Sequence, residues 1–428
     1  MAGFAGLLRQ NRNYRRLWLA QIVSEVGDHF NTIAVLSLTL HLTGSGLAVG
    51  AVMLSRVLPA MLAGPVAGVV LDRFDRKRVM IASDLLRALF AAGFVFAERW
   101  SSPPLLYLLS ALLMFASPFF TAGRMAILPR ITTAAELHSA NALTQTTAWL
   151  TLTIGTMLGG VSTMRFGYDW AFLANAASFV FSAFAIGPLS SPEGHFRPLG
   201  KTGHHAGWTE FVNSVRYIRN TPLVAAVGLS GVGWASGGGA AQVLFTLFGE
   251  KVFNAGAAGV GYIWGCAGAG LVVGGILGHR LGPRLNYSQY KRVVGVSFLI
   301  HGATYVAFSQ APGMFPAMAF ILLSRAAMGV INVLNRSMLL THLPDAFRGR
   351  VFANFEMLTN TAMMASLMAA GAASTHFDLR QIGFVAGCLS ASTALFWVWA
   401  DASGALPEPE RTIVPDNEVE SAEEARGA

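Results

Sequence analysis

Glu25 and Asp28, three residues apart with His29 beside them, stand inside the first long apolar run of the sequence. Ionisable groups within hydrocarbon cost a few kcal/mol even on lenient scales, so they are functional candidates by default. On a helix this spacing puts both carboxylates on nearly the same face. In a low-dielectric setting such a pair suits proton uptake and release or cation binding, with Asp28 the leading coupling residue and Glu25 the second. At 1.5 Å per residue Asp28 lies roughly 18 Å into its segment, near the middle of a bilayer. The opposite sign comes from Arg56 in the second apolar segment and Arg325 in the tenth. Arg56 is the expected counter-ion of Asp28 or Glu25, because sequential spans are neighbours. Arg325 is expected to bind substrate or to pair across the molecule. Snorkelling of either arginine to a surface is the plainer alternative, as is a purely structural cap for Asp28. His301 reads as a satisfied structural group.

The elements that hold these charges follow from composition. The 428-residue chain is 54% hydrophobic and 12% charged, against about 25% charged in a soluble domain. That excludes an ordinary water-soluble globule. With roughly 20 apolar residues per span, there is room for about twelve. Apolar runs fall near 17–40, 46–71, 79–97, 103–122, 142–164 and 170–189, then near 222–248, 256–278, 292–309, 312–331, 353–374 and 380–400. The first lacks a small-residue cleavage site and carries two acids, so it is expected to stay as a membrane helix. The expected organisation is an all-α membrane protein: a six-helix bundle over 1–190, a cytoplasmic linker over 191–221, a second six-helix bundle over 222–401 and a disordered acidic tail over 402–428. Within the linker, Trp208, Phe211, Val212, Val215, Tyr217 and Ile218 alternate with Glu210, Asn213, Arg216 and Arg219, which suits an amphipathic helix on the membrane surface. Cys266 and Cys388 both fall in apolar runs and read as plain core residues, without a disulfide framework.

The net charge of +8 raises the question of a nucleic-acid partner. Most of the 30 Lys and Arg lie in alternate connections, and only Arg99, Arg165, Lys251 and Arg380 lie in the other set. Arg56, Arg87 and Arg325 fall inside predicted helices. Because Lys and Arg resist translocation, this asymmetry puts both termini in the cytoplasm and explains the basic balance by topology, with no nucleic acid.

The connection after the second segment, GVVLDRFDRKR, contains Gly68, Asp72, Arg73, Arg76, Lys77 and Arg78. Gly68 lets another helix approach, Asp72 can accept hydrogen bonds from a helix N-terminus, and the basic cluster pins the loop to the membrane face. Asp84 and Arg87 follow about one turn apart, expected to lock this loop. The connection after the eighth segment, GGILGHRLGPR, echoes it, and Arg124 with Pro129 is echoed by Arg336 with Pro344, as in a 6 + 6 duplication. In the second half Glu356 is expected to pair with Arg348 or Arg350.

The run from Arg56 through Pro59, Gly64 and Pro65 to this loop resembles the signature region of the major facilitator superfamily. With the opening YRRLWLAQIVSEVGDHF, it is similar to the branch containing macrolide-efflux proteins, the enterobactin exporter and lysophospholipid transporters. The resemblance implies twelve transmembrane helices in two bundles around a central cavity, a motif that latches the halves, and a bacterial inner-membrane location. One departure is that IGTMLGG has Thr156 where exporters often carry Pro after Gly155, so the antiporter signature is incomplete; its Gly155 and Gly159 retain GxxxG spacing.

No phosphate-binding loop is present, so the energy source is an ion gradient or the substrate's own gradient. The reading reached is a monomeric, proton-coupled exporter of an amphiphilic small molecule, needing no cofactor. The alternatives are protonless movement of lysophospholipid between leaflets, and a transport-inactive sensor or assembly subunit using the acidic tail. An enzyme is disfavoured because the ten histidines show no ligand pair at helical spacing, and the adjacent His204 and His205 cannot face the same way.

Overall fold

The computed structural model describes residues 4–191, 194–197 and 208–409. Most of the acidic tail and much of the linker, including His204 and His205, lie outside the described residues. The chain forms α1 (Phe4–Gln10), α2 (Arg12–Thr43), α3 (Gly46–Leu71), α4 (Arg76–Arg99), α5 (Pro103–Ile131), α6 (Ala134–Phe166) and α7 (Tyr168–Ile186). It continues with α8 (Trp208–Asn220), α9 (Pro222–Leu247), α10 (Gly256–Leu281), α11 (Tyr287–Gln310), α12 (Met314–His342), α13 (Asp345–Ala373) and α14 (Leu379–Ala402). Twelve of these are long, and they run up and down between the face that carries both termini, called here the terminal face, and the opposite face. No strand occurs among the described residues.

Helix ends follow local chemistry. The Ser45 side chain accepts from the Ala48 amide at the start of α3, Asp75 caps α4, and Thr133 with Glu136 closes a capping box on α6. Several helices run past the apolar segments that announce them. α5 extends to Ile131 and α12 to His342, so Arg124 and Arg336, expected in connections, sit within helices. Hydropathy marks only the stretch that touches hydrocarbon, and these polar extensions border an internal cavity.

Among the described residues, nine of the twelve long helices are apolar and long enough to cross a membrane; α2, α6 and α13 fall short. Their surroundings explain their polarity. α2 packs on α6 and α7, α6 crosses to α10 of the other half, and α13 packs on α9 and crosses to α3. α6 and α13 line an internal cavity, where polar side chains do not meet lipid, and the acids of α2 are held by arginines of other helices. Exposed Leu89, Phe184, Phe315 and Leu395 instead form part of an outer apolar surface.

The buried core divides unequally along the molecule. One cluster near the opposite face joins both halves, with Val35 and Phe94 from the first and Phe245, Phe248 and Phe308 from the second. Toward the terminal face the core splits into one cluster built on Tyr14, Met80 and Ile127 and another on Tyr290, Leu334 and Trp397. The halves therefore share a core at one end and separate at the other. At the closed end the α6 and α10 backbones touch: a Cβ on Gly160 would lie 2.5 Å from the Ala257 carbonyl oxygen and 2.9 Å from the Gly261 Cα. Lys251 Nζ donates to the Gly44 carbonyl at 2.6 Å, and Ser37 donates to Glu250 across the same seam.

α8 forms where the alternation predicts an amphipathic helix, although the side chains of Trp208, Glu210 and Phe211 lie outside the described residues. Tyr217 stacks on Phe347 with ring centroids 4.5 Å apart, and buried Ser214 accepts from Asn354 at 2.7 Å. Part of its inner face is thus used against α13. Cys266 is buried as expected, whereas Cys388 is exposed: it lies on the face of α14 turned away from α9 and α11.

Candidate functional site: the inter-half cavity and its buried charges

Between the separated ends lies a cavity of about 840 Å³, walled by α5 and α6 on one side and α9, α11, α12 and α13 on the other. Trp149 and Trp234 line it, as do the amides Asn141 and Asn332. Phe94 and Phe245 are fully buried in the shared core.

Asp28 and Glu25 fall near the middle of α2, and their side chains remain about one quarter exposed. Glu25 accepts from Arg124 Nη1 at 3.2 Å, Gln21 Nε2 at 2.9 Å and Thr151 Oγ1 at 2.8 Å. Asp28 faces Arg87, with Nη1 3.8 Å from Oδ2. Arg87 also pairs with Asp84, and its guanidinium sits over Phe179 and Phe120 at 4.3 and 4.8 Å. Two arginines, each from a different helix, thus serve the two carboxylates of α2.

Neither is the arginine the sequence suggests. Arg56 donates to Asn31 Oδ1 at 3.3 Å and Thr32 Oγ1 at 2.8 Å rather than to a carboxylate. It meets α2 about one turn beyond Asp28, because α3 descends from the opposite face and reaches only that level of α2 with its eleventh residue. Arg56 and Arg325 are both buried, so neither snorkels. Arg325 lies over the Phe245 ring at 5.4 Å and makes no ion pair among the described residues. His301 bonds Ser324 through Nδ1 at 2.8 Å, a satisfied arrangement.

The signature loop is arranged differently from its sequence reading. Asp84 and Arg87 are buried: Arg87 reaches Asp28 of α2, and Asp84 pairs with Arg87 rather than with the loop. A Cβ on Gly68 would meet open space, and Asp72 is exposed with no side-chain hydrogen bond among the described residues. The close approach expected at Gly68 is absent because the halves are apart at this face. Asp75, which the sequence reading passed over, accepts from the Arg78 and Phe196 amides at 3.1 and 2.9 Å. Burial alone would push its carboxyl up, but these amides with Arg78 and Lys77 hold it below the usual range. Arg76 donates to the Ala126 carbonyl, and Lys77 to those of Gly187 and Leu189, a cation at the C-terminal end of α7. Arg73 and Arg78 are exposed. In the second half Arg348 donates to the carbonyls of Leu340 and Leu343, while Glu356 is exposed and makes no ion pair among the described residues.

A family model described as Major Facilitator Superfamily matches residues 17–315. The chain is 25% identical over 399 residues to an uncharacterised MFS-type transporter, YfiS, of Bacillus subtilis strain 168, covering 90% of this chain and 92% of that one. It is 27% identical over 406 residues to the enterobactin exporter of Shigella boydii serotype 18, covering 88% of this chain and 91% of the relative. The crystal structure of a nucleoside transporter superposes with a TM-score of 0.69 at 13% identity, over 90% of this chain and 98% of that one. That last likeness concerns the fold.

Proposed function

Because the chain belongs to the Major Facilitator Superfamily, we propose that it is a proton-coupled secondary exporter of an amphiphilic small molecule, acting as a monomer by alternating access between bundles 1–190 and 222–401. The carrying observation is the cavity of about 840 Å³ that opens where the core is split and ends where it is shared. With the basic connections in the cytoplasm, this is the inward-open state, and substrate enters from the cytoplasm or the inner leaflet. Rocking of the halves about the α6–α10 contact opens the other end.

In this reading Asp28 carries the proton. Its carboxylate is partly exposed, and its one ion pair among the described residues is with Arg87 at 3.8 Å, a pairing loose enough to yield when a proton neutralises the acid. Arg87 then rests on Asp84 of its own helix α4, so protonation at Asp28 acts on the helix that begins at the signature loop. The test is Asp28→Asn in proteoliposomes under an imposed pH gradient. Loss of gradient-driven efflux with normal expression supports the assignment, and unchanged transport removes it.

A second reading is favoured by one feature. A crevice of about 420 Å³ between α9, α13 and α14 is lined by Phe377, Ile382, Val385 and Leu389, three of them exposed side chains of the outer apolar surface. An acyl chain fits such a lining, as protonless movement of lysophospholipid requires. Fluorescent-lipid flipping that persists with a protonophore would favour it over coupled export.

A further inference from the structure

Arg124 and Arg336 occupy corresponding places in the two halves, and both line the cavity. They differ in company. Arg124 is paired with Glu25 at 3.2 Å. Arg336 makes no ion pair among the described residues, and its guanidinium lies 5.7 Å from the centre of the Phe352 ring, which also lines the cavity. No Asp or Glu lines the cavity among the described residues. The second half therefore presents an arginine whose charge no neighbouring carboxylate offsets.

Hydrogen-bond donors stand near it, among amide and hydroxyl side chains that can also accept. Asn335 accepts from the Tyr290 hydroxyl at 2.9 Å with its Oδ1, which leaves its NH₂ for the cavity. Trp234 Nε1 is buried against the cavity wall with no hydrogen-bond partner among the described residues, and an indole N–H can only donate. Arg325, Met328, Asn332 and Arg336 recur along one stripe of α12 at helical spacing. Above the cavity the stripe ends at buried Arg325, beside Tyr305, whose hydroxyl is likewise without a partner among the described residues. A buried donor left unmade carries a desolvation cost that a ligand acceptor relieves. Trp149, Trp234 and Phe355 supply flat apolar faces beside these donors.

We propose that the substrate class of this cavity is a small aromatic anion, with its acidic group held by Arg336 and its ring between the cavity aromatics. This rests on the transport reading but names a property of binding alone. Arginine presents a planar fork suited to a carboxylate, sulfonate or phosphate, and the same surplus charge repels an aromatic cation.

The test is equilibrium dialysis of the full chain in neutral detergent, without a gradient, against naphthalene-2-sulfonate and the cation N-methylquinolinium, with protein-free micelles as blank. The expected result is saturable binding of the anion at least about tenfold tighter than the cation. Arg336→Gln weakens the anion about tenfold, Arg336→Lys recovers part of it, and Arg336→Glu reverses the preference. Trp234→Phe, which keeps a ring and removes a donor, weakens the anion less. Unchanged gel filtration and unfolding temperature show that each variant is folded. A cation bound as tightly as the anion, no saturable anion binding, or full anion affinity in folded Arg336→Gln overturns the proposal. Anion binding without pH-driven transport would leave it standing while the coupling reading fails.

Discussion

Arg87 of α4 stands between Asp28 of α2 and Asp84 one turn back on its own helix, with Nη1 3.8 Å from Asp28 and Nη2 bonded to Asp84. One cation serves two acids of unequal exposure. Asp84 is fully buried, and Asp28 is about one quarter exposed at the inner face of α2. The arginine is itself enclosed by Phe120 and Phe179. A change in the charge of the exposed acid therefore acts on a side chain that has nowhere to go but toward the buried one.

Removing this cation strands two acids in a low-dielectric interior. Arg87→Met is expected to cost about 3–5 kcal/mol, the range for breaking a buried pair, seen as a lowered unfolding temperature in detergent. Arg87→Met with Asp84→Asn should recover part of the loss, because the fully buried acid no longer needs a partner. A single variant as stable as the parent would refute the network.

Asp75 links the start of α4 to Phe196 of the linker, and its depressed carboxyl gives a pH dependence with a definite sign. The folded group holds its proton less tightly than the unfolded one, so its stabilisation is present above the unfolded value near pH 4 and fades as pH falls through the lower folded value. Asp75→Ala should lower stability by about 1 kcal/mol at pH 7, and the gap to the parent should narrow on acidification below about pH 4. Asn at this site keeps most of the cap. Scanning fluorimetry at several pH values reads both; a gap that widens in acid contradicts the assignment.

The seam at the opposite face depends on the absence of a side chain at Gly160. Gly160→Leu cannot leave α6 and α10 in contact, since the Ala257 carbonyl already lies 2.5 Å from the position of a Cβ. The expected outcome is a shift toward the state closed at the terminal face. With Cys388→Ser to remove the exposed thiol, Asn332→Cys in the cavity should react more slowly with an impermeant maleimide added from the terminal side. An unaltered rate would show that the seam does not bias the two states.

The orientation follows from the basic connections and is open to a direct check. A green fluorescent protein fused at either terminus should fluoresce, and alkaline phosphatase fused after exposed Asn254, at the opposite face, should be active. The reversed pattern would invert the inward-open assignment.

Much of the architecture was legible because it follows from one-dimensional quantities. Segment length and hydropathy set the helices, and the signature residues from Gly68 to Arg87 pointed to the family. The misreadings were of a different kind. α5 and α12 run beyond their apolar stretches, so Arg124 and Arg336 looked like connection residues. Their matching places in the two halves were the available signal for a shared position on the cavity.

What the sequence determined by itself is which charges are costly: Glu25, Asp28, Arg56 and Arg325 are conspicuous wherever they point, since hydrocarbon penalises an ion independently of its partner. Who meets whom was left to the packing. Neighbouring spans suggested Arg56 as the partner of Asp28, yet the packing of α4 on α5 and α7, and of α5 on α2, delivers Arg87 and Arg124 instead. An ion pair forms only within a few ångströms, and a shift of one helical turn, roughly 5.4 Å along the axis, is enough to exchange a counter-ion for an amide. That shift is fixed by how whole helices cross, and it leaves no mark in the order of residues along any one of them.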